Sequence, residues 1–271
     1  MVNFLKRYAR SPSALFGLIL LVLVIGMALS AGWFFPADPL CLAGRPLQWP
    51  LHNARFLLGT DHTGRDIAAQ IFHGARVSLT IGVVAIGIVV GALAGFYGGV
   101  VDDMLMRLTE AFQILPNFLL LLVLVAVFGS TLSTVILAIG VVSWPPATRL
   151  TRAEFLSLRH REFVQAVRSL GMRDMPIVFR EILPNALPPI VVYASVIMAV
   201  AILLESALAF LNLSDPNVPS LGNLIGGGRS VLRQEWYVSA IPGVAILLTV
   251  LAVSLVGQGL NDALNPRLRN R

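Results

Sequence analysis

The sequence predicts an all-α polytopic membrane protein with six transmembrane helices, and two observations carry that prediction. Of 271 residues, 56% are hydrophobic and 13% charged, with a mean hydropathy of +0.81; a soluble domain carries about 25% charged residues. Six apolar segments (14–35, 77–101, 111–129, 131–147, 189–213 and 237–260) are each 17 to 25 residues long. That is the range of roughly 17–25 residues over which a helix crosses a bilayer. The composition excludes a soluble enzyme, a disordered tail and a disulfide scaffold. Cys41 is the one cysteine, so no intrachain disulfide forms, and no Cys or His stands at metal-ligand spacing from it.

Taken in order, residues 1–13 form a cytoplasmic N-terminus in which Lys6, Arg7 and Arg10 precede the first span. That span, 14–35, is longer than the h-region of about 7–15 residues in a cleavable signal, so it reads as an uncleaved anchor. Residues 36–76 form an external entry segment, with Pro36, Pro39, Pro46 and Pro50 ahead of a turn-rich run at 59–66. Thr63, three residues before Asp66, fits a capping box that starts the helix leading into 77–101. Gly87, Gly91 and Gly95 recur on one face of that span, where backbones can pack closely. Residues 77–264 make a five-helix core. Pro116 and Pro242 should kink the third and sixth spans. Within an external loop, 212–236, Gly226, Gly227 and Gly228 read as a flexible turn. Residues 265–271 form a cytoplasmic C-terminus.

Charge sets the orientation. With both termini inside, 14 basic residues face the cytoplasm and six face outward, as the positive-inside rule requires. The pI of about 10.4 follows from this bias, and no nucleic acid is needed to account for it. Trp33, Trp144, Trp236 and Tyr237 fall at segment ends, where aromatic side chains anchor a span at the interface.

Enzymatic motifs are missing. The one lysine is Lys6, so no Gly-rich loop ends in the lysine that a nucleotide-hydrolysing site uses. No zinc helix or nucleophile elbow is present. His62, Asp66 and His73 do not share a helix face, which argues against a metal site there. Arg107 and Glu110 are spaced to pair along a helix. Glu205 lies inside the fifth span, where a carboxylate costs about 2.5–3.5 kcal/mol on insertion scales. It is a pathway or gate residue, or else a helix–helix hydrogen-bonding group.

The cytoplasmic loop 148–188 carries the most information. Phe163, Val164, Val167 and Leu170 recur at helical spacing, and Gly171 stands where the helix needs a positive-φ residue to stop. Asp174 is placed to cap a second short helix, with Pro176 in its first turn and Pro184 and Asn185 closing it. The expected result is a knob of two short helices whose apolar positions dock against another protein.

Gln165, Ala166, Val167, Gly171 and the run from Glu181 through Pro184 and Asn185 resemble the Glu-Ala-Ala loop of ABC importer permeases. Residues 59–66 with Arg76, Val77, Ser78 and Leu79 resemble the entry segment of the dipeptide/oligopeptide/nickel permease family. So do residues 204–211, Pro242 with Gly243, and 261–267. The resemblance runs nearly end to end and is strongest to the second, C-type permease. Gln165, Val167 and Glu181 depart from that pattern, as does Asn212, which stands where the family uses Gly.

This resemblance implies a type I ABC importer permease fold with no covalent chemistry and no cofactor of its own. Gln165, Ala166, Val167, Leu170, Gly171, Met172, Arg173, Asp174 and Met175 would form its ATPase-docking loop. The implied partners are a second permease subunit in a heterodimer, two ABC ATPase subunits carrying ATP and Mg, and an external solute-binding protein. The location is the bacterial cytoplasmic (inner) membrane, and the substrates are short peptides. Nickel, a metallophore, glutathione or an opine are alternatives within the family. An ion-coupled carrier using Glu205 as its proton site lacks a use for the knob.

Overall fold

The computed structural model describes Tyr8, residues 11–84 and residues 99–264. Gly87, Gly91 and Gly95 lie outside these residues, as do the basic clusters of both termini. Helix α1 is Pro12–Phe34, opened by Ser11, whose Oγ accepts the Ala14 N–H, and by Pro12 at the first position. Proline is tolerated there because its missing donor would have had no intrahelical partner. The helix buries small residues (Ala14, Gly17, Ala28, Ala31) and exposes Phe16, Ile19, Val22, Leu29 and Trp33. Large apolar side chains outside and small ones inside suit a helix set against lipid.

Helix α2, Ile67–Val84, is capped by Asp66, whose Oδ1 accepts the Ala68 N–H at 2.8 Å. The expected cap, Thr63, does other work: its N–H and hydroxyl both donate to Asp61 Oδ1. Gly64, at φ +89°, turns the chain between Thr63 and the helix and so moves the start of α2 past the expected box.

The third apolar segment is broken rather than kinked. Helices α3 (Gly99–Ile114) and α4 (Asn117–Phe128) meet at 84° around Pro116. Pro116 lacks the N–H that would continue α3, and it drives Leu115 away from helical dihedrals. Helix α5, Leu132–Arg159, begins at a Thr131 cap and runs well past the apolar segment that ends at 147. After α6 (Glu162–Ser169), helix α7 runs without a break from Asp174 to Phe210.

Pro184 therefore closes nothing. Residues Ile177–Ile182 form a π-turn, in which the Leu183 N–H reaches back five residues to the Val178 carbonyl. The wider turn changes which carbonyls face the proline ring, so the helix passes through. Asn185 Nδ2 donates to the Glu181 carbonyl at 2.7 Å, within the same helix. Asp174 is the first residue of α7 and makes no side-chain cap.

Helix α8 is Leu221–Gly228, followed by a 3₁₀ turn and by α9, Tyr237–Leu264. The glycines of α8 are helical, not a flexible turn. A Cβ at Gly222 would stand 2.7 Å from Ser206 Cα, and one at Gly226 would collide with the Ala209 carbonyl. They let α8 lie directly on α7.

Helices Pro12–Phe34, Asp174–Phe210 and Tyr237–Ala263 are each long and apolar enough to cross a membrane, and the bent α3–α4 pair makes a fourth candidate. Helix α9 packs between α1 and α7. One core joins α4, α5 and α7 through Leu121, Val125, Val135, Ile139 and Leu208. A second joins α2, α7, α8 and α9 through Ile67, Ile202, Leu221 and Tyr237. Trp33 and Trp236 are exposed, as an anchor would be, but Tyr237 is 1% exposed. Its hydroxyl donates to the Gln48 and Thr60 carbonyls, so it ties the entry segment to α9. Among the described residues the ion pairs are Arg152–Asp102 and Arg168–Asp174; Arg107 and Glu110 do not pair.

Candidate functional site

The knob lies between the C-terminal end of α5 and the start of α7. Helix α6 ends in a Schellman motif: the Gly171 N–H donates to the Arg168 carbonyl and the Met172 N–H to the Val167 carbonyl. Gly171 has φ +81°, the left-handed conformation that this motif places after the helix. The space around it is open, so its requirement is one of backbone conformation and not of room.

The apolar positions of the knob divide into two sets. Val164 and Val167 turn inward and join Phe155, Leu158, Ile177, Val178 and Ile182 in a small core. That core fixes the knob to α5 and α7. Phe163, Leu170, Met172, Met175 and Phe179 face outward, with Leu170 85% exposed. Gln165, Ala166, Arg173 and Asp174 are exposed around them, and Gln165 Nε2 reaches the His160 carbonyl. Asp174 accepts from Arg168 at 3.4 Å, but both side chains are open to solvent, and such pairs contribute little. Phe179 was not singled out in the sequence, because it sits in the π-turn, where helical spacing fails.

Beside the knob, Arg152 of α5 holds Asp102 of α3 through two hydrogen bonds of 2.5 and 2.7 Å. Asp102 is buried, and this bidentate pair fixes the first turn of α3 against α5. The Asp102 hydrogen bond raises the Arg152 pKa above its ordinary value.

Glu205 lies roughly 45 Å further along α7 from Asp174 by helix rise. It is 1% exposed, and its Oε1 accepts from Ser220 at 2.6 Å and, at the limit of contact, from Ser214 at 3.5 Å. Ser220 is the N-cap of α8 and also accepts the Asn223 N–H. The carboxyl thus sits at the N-terminus of α8, where the helix dipole favours negative charge. A few residues on, α7 ends in a second Schellman motif: Asn212 donates to Ala209 and Leu213 to Leu208. Asn212 has φ +59°, which is the physical reason for a glycine at this place in the resembling family.

The entry segment is a polar network. Asp61 is 5% exposed; its Oδ1 takes the Thr63 and Arg65 N–H groups, and its Oδ2 takes Gln70 Nε2 at 3.1 Å. Thr60 donates to the Arg45 carbonyl and accepts from the Gln48 N–H. Burial pushes the Asp66 carboxyl above the usual carboxylate range, opposed by the Ala68 and Ala69 N–H groups and by Arg55. His62 rests against Gly227, and a His73 ring nitrogen lies 3.1 Å from the Phe35 carbonyl.

Among the described residues the fold is helical, with an apolar knob at one end of α7 and a buried polar network at the other, and it is a type I ABC importer permease fold. Among solved structures, it is similar to the inward-facing MetNI methionine ABC transporter, with a TM-score of 0.58 at 18% identity over 72% of this chain and 94% of that one. Residues 87–270 match the model of the binding-protein-dependent transport system inner membrane component, and the chain belongs to that family. It is similar to the di/tripeptide transport system permease protein DppC of Pseudomonas aeruginosa, at 38% identity over 99% of this chain and 92% of that protein. It is also similar to the dipeptide transport system permease protein DppC of Haemophilus influenzae, at 35% identity over 97% of this chain and 93% of that protein. The protein is a multi-pass inner-membrane transport subunit rather than an enzyme, working with ATPase and substrate-binding partners.

Proposed function

We propose that this chain forms half of a translocation pathway for short peptides, as one member of a permease heterodimer. Two ABC ATPase subunits holding ATP and Mg supply the energy, and an external solute-binding protein delivers the substrate. The end-to-end similarity to permeases named for dipeptides and tripeptides carries the substrate class. The 14-to-6 basic asymmetry supports cytoplasmic termini and a cytoplasmic knob.

In this reading the ATPase docks on the outward residues of the knob, Gln165, Ala166, Leu170, Gly171, Met172, Arg173, Asp174 and Met175, with Phe163 and Phe179, while Val167 holds the loop from within. Because Val164 and Val167 bind the knob to α5 and α7, a displacement of the docking face moves both helices together. Asp102 and Arg152 extend that rigid unit to α3, so ATP-driven closure rocks a block of helices between inward- and outward-open states. Glu205, the pathway or gate candidate, acts by holding α8 against α7 at the external mouth. Its burial and its serine partners support that role over contact with substrate.

Reconstituting the four-subunit complex with its binding protein tests the proposal. ATP-dependent uptake of a labelled dipeptide is expected, and so is co-isolation of peptide with the binding protein. A complex that carries nickel or a metallophore and ignores dipeptides would contradict it.

A further inference from the structure

At the external mouth, the entry turn, the end of α7 and helix α8 enclose a cavity of about 260 Å³. Arg65, His62, Ser130, Asn212 and Ser214 line it, and Gly227 forms part of its wall. Arg65 Nε is buried with no hydrogen-bond partner, and among the described residues no carboxylate pairs with its side chain. Asp61 also borders the cavity, but Thr63, Arg65 N–H and Gln70 already occupy its oxygens. The residue as a whole is half-buried, so the guanidinium is only partly shielded from water. A buried N–H without a partner is costly, whereas a guanidinium facing a carboxylate makes two parallel charge-assisted bonds.

The backbone around Arg65 is rigid. Gly59 and Gly64 hold positive φ, and a Cβ at either would strike the neighbouring chain at Gln48 or Gly44. That backbone presents Arg65 at the cavity wall with its Nε unpaired. Gly227 leaves room for His62, whose ring would lie 3.1 Å from a Cβ there. The cavity is large enough to take one end of a small molecule.

We propose that this cavity binds the C-terminal carboxylate of a peptide as it leaves the binding protein, with Arg65 as the principal ligand and His62 and Ser130 as neighbouring polar groups. A carboxylate gains hydrogen bonds from the unpaired Arg65, whereas an ammonium would meet that guanidinium and would have to share an Asp61 whose oxygens already accept from Thr63, Arg65 N–H and Gln70. This inference rests on the peptide reading and on the external placement of the entry segment. It adds a recognition step that the permease itself performs.

Arginine-specific modification of the purified complex by phenylglyoxal, read residue by residue by mass spectrometry, tests it. Dialanine is expected to slow modification of Arg65 several-fold, while dialanine amide leaves it unchanged, and neither alters the exposed Arg233 in the same sample. In an Arg65→Gln complex, dialanine uptake should fall several-fold, with binding-protein association and basal ATPase retained. Equal modification of Arg65 in all conditions, or equal protection by acid and amide, would overturn the site. Protection by peptide-free binding protein alone would also overturn it, assigning the carboxylate to that protein. Failure of wild-type dialanine uptake with Arg65 protection intact would reject peptide transport and keep the site. Uptake without protection would do the reverse.

Discussion

The two ends of α7 use opposite chemistry. At the knob, Leu170, Phe179, Met172 and Met175 put apolar surface into water, held by a small core of Val164, Val167, Ile177 and Ile182. At the far end, Glu205, Thr60, Asp61 and Gln70 put polar groups out of water, each held by named hydrogen bonds. An apolar patch rimmed by polar residues marks a protein contact. Buried polar groups hydrogen-bonded to one another mark a rigid frame, although Glu205 Oε2 is buried without a partner. In the proposed reading the knob end is covered and moved, while the other end keeps its shape.

Charging the patch should give the largest effect. Leu170→Asp or Phe179→Asp leaves the inward core intact, yet a charge at a docking centre costs on the order of 2 kcal/mol or more. The ATPase subunits should dissociate on purification by size-exclusion chromatography, while the permease pair stays together. Retention of both ATPase subunits at wild-type stoichiometry would remove the patch from the interface.

At the mouth, Glu205→Ala leaves Ser220 and Ser214 without their acceptor in a dry site, a loss of about 1–3 kcal/mol. It should lower thermal stability and complex yield. Glu205→Gln keeps an oxygen acceptor for Ser220 and should assemble and transport near the wild-type level. A Glu205→Gln complex that is stable but transports poorly would show that the charge itself serves the pathway.

Gly171→Val forces a β-branched residue into the left-handed region, a penalty of about 1–2 kcal/mol even in open space. The knob should reorient and transport should fall relative to ATP hydrolysis, measured together in proteoliposomes. Unchanged coupling would mean that the turn has no role in transmission. The smallest effect is expected at the equivalent turn of the mouth. Asn212→Gly relieves a mild strain and should change thermal stability by no more than a few tenths of a kcal/mol.

Much of this contrast is readable in the sequence, and the failures are physical. Gly171 is legible because a positive φ after an amphipathic run has few other solutions. The inward and outward sets of the knob are not separable by spacing, since Val164 and Leu170 look alike until α5 and α7 are placed beside them. Pro184 misleads because a π-turn, which has no sequence signature of its own here, absorbs it. Pro116 misleads in the other direction, since no neighbouring turn rescues its missing N–H. Thr63 loses its expected role to Asp66 because Asp61, a better acceptor two residues before it, captures its hydroxyl. Glu205 stands out as a charge in an apolar run, but its partners, Ser214 and Ser220, come from an external loop whose packing against α7 the spacing does not specify.

The claim that the outward face of the knob is covered by the ATPase has a direct test. With Cys41→Ser as background, Leu170→Cys and Met172→Cys are labelled with a maleimide in inside-out membranes, with and without the ATPase subunits. The account predicts rapid labelling of the permease pair alone and strong protection in the full complex. Equal labelling in both would contradict it.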